Sequence, residues 1–398
     1  MNILIGISGS IAAYKAPDIA RGLINQGHSV KVILTKGALE FVNAKVFNYL
    51  GVETTYLPDD DFKHLGVLHI ELSKWSDTFV LVPLSANTLS KLSRGECSDL
   101  LTSVYLSLPP DKVKVLYPAM NTFMYNNPIT QDNLKKISGP NTYLIEPDSG
   151  VLACGDEGKG KLSDVRSIIE MIPTYSSRKI AKKVVITAGS TLSNLDPVRY
   201  VTNPAKGGTA YVVAKKYLSE GYHVHVIQGQ EVIGDFKYLS KHPNYFSEVV
   251  STTKDLLKIV KNLNHEFDIY ISPMAVSDIE FDYVDSKIKK STLNGSFKFQ
   301  FADDVLKYVV DNKRLGQKIV GFAAETDLLP KTIQEKLTRK PVDLLVANLV
   351  NSGFNGSAKQ GFGTKEGIYK LATVANPNPV EQPLSKAQLA EEIFNLIK

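Results

Sequence analysis

The same local pattern occurs twice in this chain, and it restricts the fold more than any other feature. Near the start, the apolar run ILIGISGS leads into an amphipathic stretch that ends at Gly27 before SVKVILT. In the second half, VVITAGS leads, after an inserted loop, into an amphipathic stretch that ends at Gly221 before YHVHVIQG. A strand, a glycine turn and a helix of this kind open nucleotide-binding α/β domains, although many other α/β domains share the pattern. The repeat therefore predicts two doubly wound α/β units.

The remaining apolar runs extend this prediction along the chain. Apolar and amphipathic segments alternate, which is typical of a parallel sheet covered by helices on both faces. We expect strands near residues 2 to 7, 29 to 34, 78 to 82, 113 to 117, 142 to 145, 268 to 271, 318 to 323 and 343 to 347, and helices near 302 to 312, 329 to 340 and 384 to 397. Residues 171 to 182, with proline, serines and basic residues, predict a linker between domains 1–175 and 176–398.

Composition excludes several classes of protein. The chain is 43% hydrophobic and 22% charged, as expected for a globular protein, and no apolar run is long enough to span a bilayer. The start lacks the features of a secretory signal, so we expect a cytoplasmic protein without a membrane partner. Two cysteines cannot form a disulfide framework. The net charge of +5 is spread over the chain and does not require nucleic acid, since anionic small substrates explain it as well. We expect no nucleic-acid partner.

The first glycine turn indicates a phosphate site. Gly6, Ser8, Gly9 and Ser10 lie between a strand and a helix, where backbone amides and hydroxyls can hold a phosphate. The turn does not match GxGxxG, and the second strand ends at Thr35 instead of at an acidic residue that would bind an NAD ribose. These residues favour a mononucleotide such as FMN over a dinucleotide.

Three further polar clusters follow strands, where α/β folds place their ligands. They are PLSANT at 83–88, YPAMNTFMY at 117–125 and DSGVLACGD at 148–156, and we expect them to form one pocket. Together with HIEL at 69–72 and the glycine-rich ACGDEGKG, they resemble the flavin decarboxylases that act on 4'-phosphopantothenoylcysteine. The resemblance covers residues 1 to about 165 and implies a flavodoxin-like domain.

The resemblance also implies roles for individual residues. His69 would be the catalytic histidine, Asn121 would hold the substrate carboxylate, and Cys154 would be the acid that completes the reduction. The residues that would contact FMN are Gly6, Ser8, Gly9, Ser10, Thr35, Ser85, Ala86, Asn87 and Thr88. Structural alternatives remain for the catalytic residues: His69 as an ordinary hydrogen-bonded histidine, Asn121 as a helix cap and Cys154 as a small buried apolar residue. Ser98 departs from the family, which usually has asparagine there.

The implied chemistry accounts for these residue types. A cysteine carboxylate leaves as carbon dioxide only if its electrons have a sink, and oxidation of the thiol-bearing carbon to a thioaldehyde provides one. FMN would carry out that oxidation and later return a hydride. A thiol with an ordinary pKa of about 8.5 is protonated at neutral pH and suits the final proton transfer.

A second set of motifs runs from residue 183 onward: TAGSTLSNLDPVRYVTN, SPMAVSD, KIKK, GFAAETD, RKPVDLLVAN and GFGTKEG. In this order they resemble phosphopantothenate-cysteine ligases, and the resemblance implies a Rossmann-like fold. Such ligases activate a carboxylate with CTP as an acyl-cytidylate, which requires cations and Mg²⁺ around the phosphates. The resemblance implies that Asn203 contacts the acyl intermediate, that Lys287 binds phosphate and that Asp278 also binds the metal. The CTP residues would be Ala275, Asp278, Lys287, Asp304, Phe322, Lys336 and Lys340.

Each of these residues also has a structural alternative. The KIKK run, Lys336 and Lys340 could be exposed surface lysines, Asp278 a turn residue and Phe322 a core residue. The loop after Asn203 departs from the family, which commonly shows HSSGKMG where this chain has PAKGGT at 204–209.

Taken together, the two halves resemble the fused bacterial enzyme that ligates cysteine to 4'-phosphopantothenate and decarboxylates the product to 4'-phosphopantetheine. The resemblance implies trimeric contacts in the decarboxylase, dimeric contacts in the ligase and a homo-oligomer that could be a dodecamer. Two alternatives are an active decarboxylase with a weakened or regulatory ligase domain, and a non-catalytic flavoprotein that regulates a partner.

Overall fold

A computed structural model describes residues 1–263, 266–289, 297–351, 361, 363–364 and 366–398. The chain divides into two compact units, Met1–Arg178 and Lys179–Lys398. Residues 172 to 176 are mostly buried, whereas 177 to 179 and 181 to 182 are exposed. The exposed part of the expected linker is therefore shorter than the sequence predicts.

A six-stranded parallel sheet forms the centre of the first unit, in the order β3-β2-β1-β4-β5-β6. Its strands are β1 (Asn2–Ile7), β2 (Ser29–Leu34), β3 (Thr54–Tyr56), β4 (Thr78–Leu84), β5 (Val113–Pro118) and β6 (Thr142–Leu144). The central strands are apolar without alternation because helices cover both faces; every residue of β4 is buried. Without the short edge strand β3, the order is that of flavodoxin, which confirms the predicted fold class.

Helices and one hairpin surround this sheet. The helices are α1 (Ala16–Asn25), α2 (Lys36–Leu39), α3 (Ala44–Tyr49), α4 (Asp60–Lys63), α5 (Leu68–Trp75), α6 (Ala86–Arg94), α7 (Leu100–Ser107), α8 (Thr122–Asn126), α9 (Pro128–Ile137) and α10 (Val165–Met171), with 3₁₀ turns at Ile11–Lys15 and Ile172–Thr174. The hairpin pairs β7 (Asp148–Val151) with β8 (Glu157–Lys161) in antiparallel fashion. It is absent from the sequence prediction because neither strand has an apolar pattern.

The second unit contains an eight-stranded sheet in the order β13-β12-β9-β14-β17-β18-β19-β20. Its strands are β9 (Lys183–Ala188), β12 (His223–Gly229), β13 (Tyr245–Val250), β14 (Ile269–Ser272), β17 (Lys318–Glu325), β18 (Leu344–Leu349), β19 (Glu366–Ala372) and β20 (Gln382–Ser385). The first six are parallel in the Rossmann order, as predicted, and the last two are antiparallel at one edge.

Helices and two small antiparallel pairs complete this unit. The helices are α11 (Gly208–Ser219), α12 (Phe236–Leu239), α13 (Thr253–Asn262), α14 (Val305–Asp311), α15 (Pro330–Arg339) and α16 (Lys386–Ile397). The pairs are β10 (Leu192–Asn194) with β11 (Tyr200–Thr202), and β15 (Ile279–Phe281) with β16 (Phe299–Phe301). In the described part of the chain, no helix is both long enough and apolar enough to cross a bilayer.

Each of the two large sheets has a switch point. On its two sides, successive parallel strands are added in opposite directions across the sheet. It lies between β1 and β4 in the first unit and between β9 and β14 in the second. Ligands of open α/β sheets bind outside the carboxyl ends of strands at this point. The loops that follow these strands carry most of the predicted site residues.

Candidate active sites

A cleft of about 440 Å³ lies at the switch point of the first unit. Its volume is within the range of small-molecule sites. It is lined by Gly9, Thr35, Lys36, Gly37, Glu40, Ser85, Asn87, Thr88, Lys91 and Asp99. Five of the nine predicted FMN residues therefore meet in one place.

Two glycines allow the loops after β1 and β2 to approach each other in this cleft. A Cβ added to Gly9 would lie 2.9 Å from the Cα of Gly37, closer than such atoms approach. Ser85 and Thr35 cap the helices that follow their strands, with side chains that accept hydrogen bonds from Thr88 N and Ala38 N. The cleft is thus built from hydroxyls, backbone, the Asn87 amide, two lysines and the two carboxylates of Glu40 and Asp99.

The other predicted FMN residues do not line the cleft. Ser8 is fully buried, and its Oγ donates to Pro83 O at 2.7 Å and accepts from Ser85 N at 2.8 Å, so it connects the ends of β1 and β4. Gly6 packs inside β1 against Leu101. Ser10 and Ala86 are also absent from the cleft lining; Ser10 Oγ donates to Ala119 O at 3.1 Å.

Asn121 performs two functions at once in the structure. Its Oδ1 accepts a hydrogen bond from Phe123 N at 2.8 Å and caps α8, as the structural alternative predicts. Its Nδ2 lies 3.2 Å from the Sγ of Cys154 and 2.9 Å from Asp156 Oδ2. The cap holds the side chain so that the amide group faces the thiol.

Cys154 lies in the turn of the β7–β8 hairpin and is exposed, which excludes the buried apolar alternative. Its Sγ is 3.3 Å from Asp156 Oδ2 and can donate its proton to that carboxylate. The thiol, the Asn121 amide and the Asp156 carboxylate therefore form one cluster. Among the described residues, no hydrogen bond joins His69 to this cluster. None of these groups lines the cleft, so the structure does not gather the three polar clusters into this one cavity.

Close packing of glycines positions this hairpin. A Cβ on Gly160 would lie 2.2 Å from Met120 O, and one on Gly158 would lie 2.6 Å from Thr122 Oγ1. Met120 N also donates to Gly160 O at 3.1 Å. The glycine-rich segment allows β8 to lie against the chain beside Asn121.

We expect Gly160→Ala to destabilise the first unit by about 1–3 kcal/mol, because the methyl group collides with a backbone oxygen and φ is +154°. Gly155→Ala is the matched control, since Gly155 has φ +89° but nothing within 4 Å of an added Cβ. It should cost only about 1 kcal/mol. Thermal unfolding measures both, and equal costs would contradict the close packing.

The carboxylate of Asp61 orients His69. This contact is compatible with a catalytic histidine and with an ordinary hydrogen-bonded one. Asp61 Oδ2 lies 2.7 Å from His69 Nδ1, and Oδ1 accepts from His69 N at 3.1 Å. A carboxylate at one ring nitrogen holds the ring and leaves the other nitrogen for a ligand. Sequence reasoning missed Asp61. The available signal was the acidic string DDDF at 59–62, in which Asp61 precedes His69 by eight residues.

A second, larger pocket of about 530 Å³ lies at the switch point of the second unit. Seven predicted residues line it: Asn203, Ala275, Asp278, Asp304, Phe322, Lys336 and Lys340. Phe322 is only partly buried, so the core alternative does not describe it. Asn203 Nδ2 approaches Ala275 O at 3.5 Å, which connects the loop after β11 to the loop after β14.

Ion pairs organise the lysines of this pocket. Lys336 Nζ is 2.7 Å from Glu325 Oε1, and Lys340 Nζ is 2.7 Å from Asp304 Oδ1. Partial burial acts to raise the pKa of Asp304, but the hydrogen bonds from Lys340 and from Lys307 N outweigh it and lower the pKa below its usual value. Sequence reasoning missed two further cations in the lining, Arg339 and Lys386.

The structure does not bring every predicted residue into this pocket. Lys287 is exposed and does not line it. Lys290, the last residue of KIKK, lies outside the described residues. Among the described residues, no group of three or more histidine, cysteine, aspartate or glutamate side chains could hold a metal ion, so Asp278 as a metal ligand stays a prediction.

Comparison with known proteins identifies the family. Residues 1–176 match the family model described as Flavoprotein, and residues 180–398 match the DNA/pantothenate metabolism flavoprotein C-terminal domain. The Coenzyme A biosynthesis bifunctional protein CoaBC of Borreliella burgdorferi is 31% identical over 406 residues, which cover 100% of this chain and 98% of that protein. The chain belongs to the family of bifunctional coenzyme A biosynthesis proteins.

A second curated relative and a solved structure are also similar to this chain. The Bacillus subtilis protein of the same name is 34% identical over 379 residues, covering 93% of this chain and 90% of that protein. A solved PPC decarboxylase mutant complexed with pantothenoylaminoethenethiol is 34% identical, covers 43% of this chain and 95% of its own, and has a TM-score of 0.40. The two family models and the two curated relatives confirm the family resemblance inferred from the motifs.

Proposed function

We propose that this protein catalyses two consecutive steps of coenzyme A biosynthesis. The second unit ligates cysteine to 4'-phosphopantothenate with CTP, and the first unit decarboxylates the product to 4'-phosphopantetheine. The observation that carries the proposal is the full-length match to bifunctional relatives, since one chain holds both domains in the same order. Comparisons of this kind do not favour the weakened ligase or the non-catalytic regulator.

The residues of the first cleft fit a flavin mononucleotide. Gly9 and Gly37 keep the loops free of side chains where backbone must approach a ligand. The lining carries two lysines, Lys36 and Lys91, beside the carboxylates of Glu40 and Asp99. Thr35, Ser85, Asn87 and Thr88 would hold it. When bound, FMN supplies reversible two-electron oxidation of the thiol-bearing carbon.

The protein's own groups would control the carboxylate and the proton. Asn121 would orient the substrate carboxylate with its amide, which its cap hydrogen bond holds in place. Cys154 would deliver a proton from Sγ to the product of decarboxylation, and Asp156 would orient the S–H bond before transfer. His69, held by Asp61, would present its free ring nitrogen to the substrate.

The second pocket fits a triphosphate and an acyl group. Lys336, Arg339 and Lys340 supply positive charge in the lining, and Asp278 and Asp303 supply carboxylates. Mg²⁺ commonly binds to one or two carboxylates and to substrate phosphates, so Asp278 fits that role without a preformed cluster. The positive charges of the lysines, Arg339 and Mg²⁺ would stabilise the pentavalent phosphorus of the transition state and the leaving pyrophosphate.

We expect Asp61→Asn to lower the decarboxylase kcat about tenfold with a small change in KM. The imidazole of His69 would be held less firmly in its orientation, but it would still contact the substrate. Asp60→Asn is a matched control on the same helix. Steady-state kinetics with phosphopantothenoylcysteine measure kcat and KM separately. An unchanged kcat, or a loss that appears mainly in KM, would contradict the positioning role.

The assembly and cellular location belong to the same proposal. Trimeric contacts through the first unit, dimeric contacts through the second and a cytoplasmic location are the family expectations. Light scattering of the purified protein measures the assembly.

Mass analysis of the products tests the proposed function directly. Purified protein is incubated with 4'-phosphopantothenate, cysteine and either CTP or ATP. We expect 4'-phosphopantetheine, carbon dioxide and pyrophosphate with CTP. A colourless protein that releases no carbon dioxide from phosphopantothenoylcysteine would refute the decarboxylase, and no pyrophosphate with either nucleotide would refute the ligase.

A further inference from the structure

Lys386 enters the second pocket from a distant part of the chain. It is the first residue of α16, it is partly buried, and it lines the pocket together with the segment at 205–210, which leads into α11. Its Nζ lies 3.0 Å from the position where a Cβ on Gly208 would be. The lack of a side chain at Gly208 therefore leaves the space that the ammonium group occupies.

Lys386 differs from the other lysines of the pocket in its pairing. The Nζ of Lys206 lies 2.5 Å from Glu231 Oε2, and that of Lys336 lies 2.7 Å from Glu325 Oε1. The Nζ of Lys340 lies 2.5 Å from Asp304 Oδ2, the second oxygen of the carboxylate that it pairs with. Within the described residues, Lys386 has no ion pair or hydrogen bond, and desolvation alone lowers its pKa. A partly buried ammonium group without an anion is unfavourable, and an anionic ligand would remove that cost.

We propose that Lys386 binds a phosphate group of a substrate in the second pocket. This proposal rests on the proposed ligase function. Lys386 can pair with an anionic ligand without breaking an existing ion pair. Lys336 and Lys340 already pair with carboxylates, so a ligand would share their charge with Glu325 and Asp304.

The neighbouring loop explains why such a cation matters in this chain. PAKGGT contains neither serine of the family pattern HSSGKMG, and it has glycine where the pattern has lysine. A compact ammonium group beside Gly208 supplies the charge that the loop itself lacks there. The phosphate could belong to the nucleotide or to 4'-phosphopantothenate, because both carry the same group.

Steady-state kinetics of Lys386→Gln separate these two sources. Removing a charge-assisted hydrogen bond is expected to raise KM about 10- to 100-fold for the substrate whose phosphate is bound, and to change the other KM little. A raised KM for CTP assigns the nucleotide, and a raised KM for 4'-phosphopantothenate assigns the other substrate. Lys386→Arg should recover most of the loss because it keeps the charge.

Controls distinguish lost binding from lost structure. Lys307→Gln removes an exposed lysine of α14 that pairs with Asp311 outside the pocket, and it should leave both KM values unchanged. Thermal unfolding reports the folding of each variant. Unchanged KM values in a folded Lys386→Gln protein, or equal rises in both that Lys386→Arg does not reverse, would overturn the proposal.

A binding measurement tests the phosphate contact of Lys386 even if no ligation occurs. If the unmodified protein released no pyrophosphate, the proposed ligase function would fail, and calorimetry with CTP alone and with 4'-phosphopantothenate alone would still measure Kd. Weaker binding of one of them to Lys386→Gln supports the phosphate contact. Equal Kd values for variant and unmodified protein overturn it.

Discussion

Replacing Cys154 with serine is expected to lower the output of 4'-phosphopantetheine by about 100-fold or more, while carbon dioxide is still released. A serine hydroxyl is a much weaker acid than a thiol, so proton delivery to the decarboxylated product should stop. The amide of Asn121 lies 3.2 Å from Sγ and can still hold the substrate carboxylate, because its cap to Phe123 N does not depend on the thiol. Carbon dioxide release and product mass are measured in the same reaction.

Cys97→Ser is the matched control, since Cys97 is the other free, exposed cysteine of the described chain. It should have ordinary rates in both assays. Full 4'-phosphopantetheine output from Cys154→Ser would defeat the proton-donor role, and loss of flavin absorbance would show that the substitution acts on binding instead.

Lys340→Gln is expected to reduce ligation kcat/KM by at least about 100-fold, with no effect on decarboxylation of supplied phosphopantothenoylcysteine. Lys340 lines the second pocket and neutralises Asp304, so its loss removes a positive charge and leaves a carboxylate uncompensated where phosphates would bind. Decarboxylation should continue because its residues lie in the other compact unit. Pyrophosphate release and carbon dioxide release are assayed separately.

Lys331→Gln provides the comparison, since Lys331 lies on α15, which ends just before Lys340, and is exposed outside this pocket. Lys287→Gln is a further arm, and an effect as large as that of Lys340→Gln would assign Lys287 to the reaction. Equal loss of both activities in Lys340→Gln would mean that the two units do not act independently.

The long buried strands were predictable from sequence, and the short antiparallel ones were not. Strands such as β1 and β4 are apolar after their first residue because both faces are covered, so their runs stand out. The hairpin strands β7 and β8 read DSGV and EGKGK, and their pairing depends on contacts with Met120 and Thr122. Such contacts leave no periodic signal in the sequence.

The candidate site residues divide in the same way. Motifs indicated Asn121 and Cys154, but their distance of 3.2 Å spans 33 residues of chain and depends on the packing of the hairpin. Asp61 and Asp156 carry no motif of their own, and only their positions beside His69 and Cys154 show what they contact.

By itself, the sequence determined the order of the α/β elements, the two-domain organisation of the family and the residue types available for each reaction. Tertiary structure alone decided which of those residues meet: Ser8 became a buried connection between strands, Lys287 stayed outside the pocket, and Lys386 came to lie beside Gly208. The physical reason is that local patterns record burial and backbone preference, whereas the approach of distant side chains depends on how the elements pack.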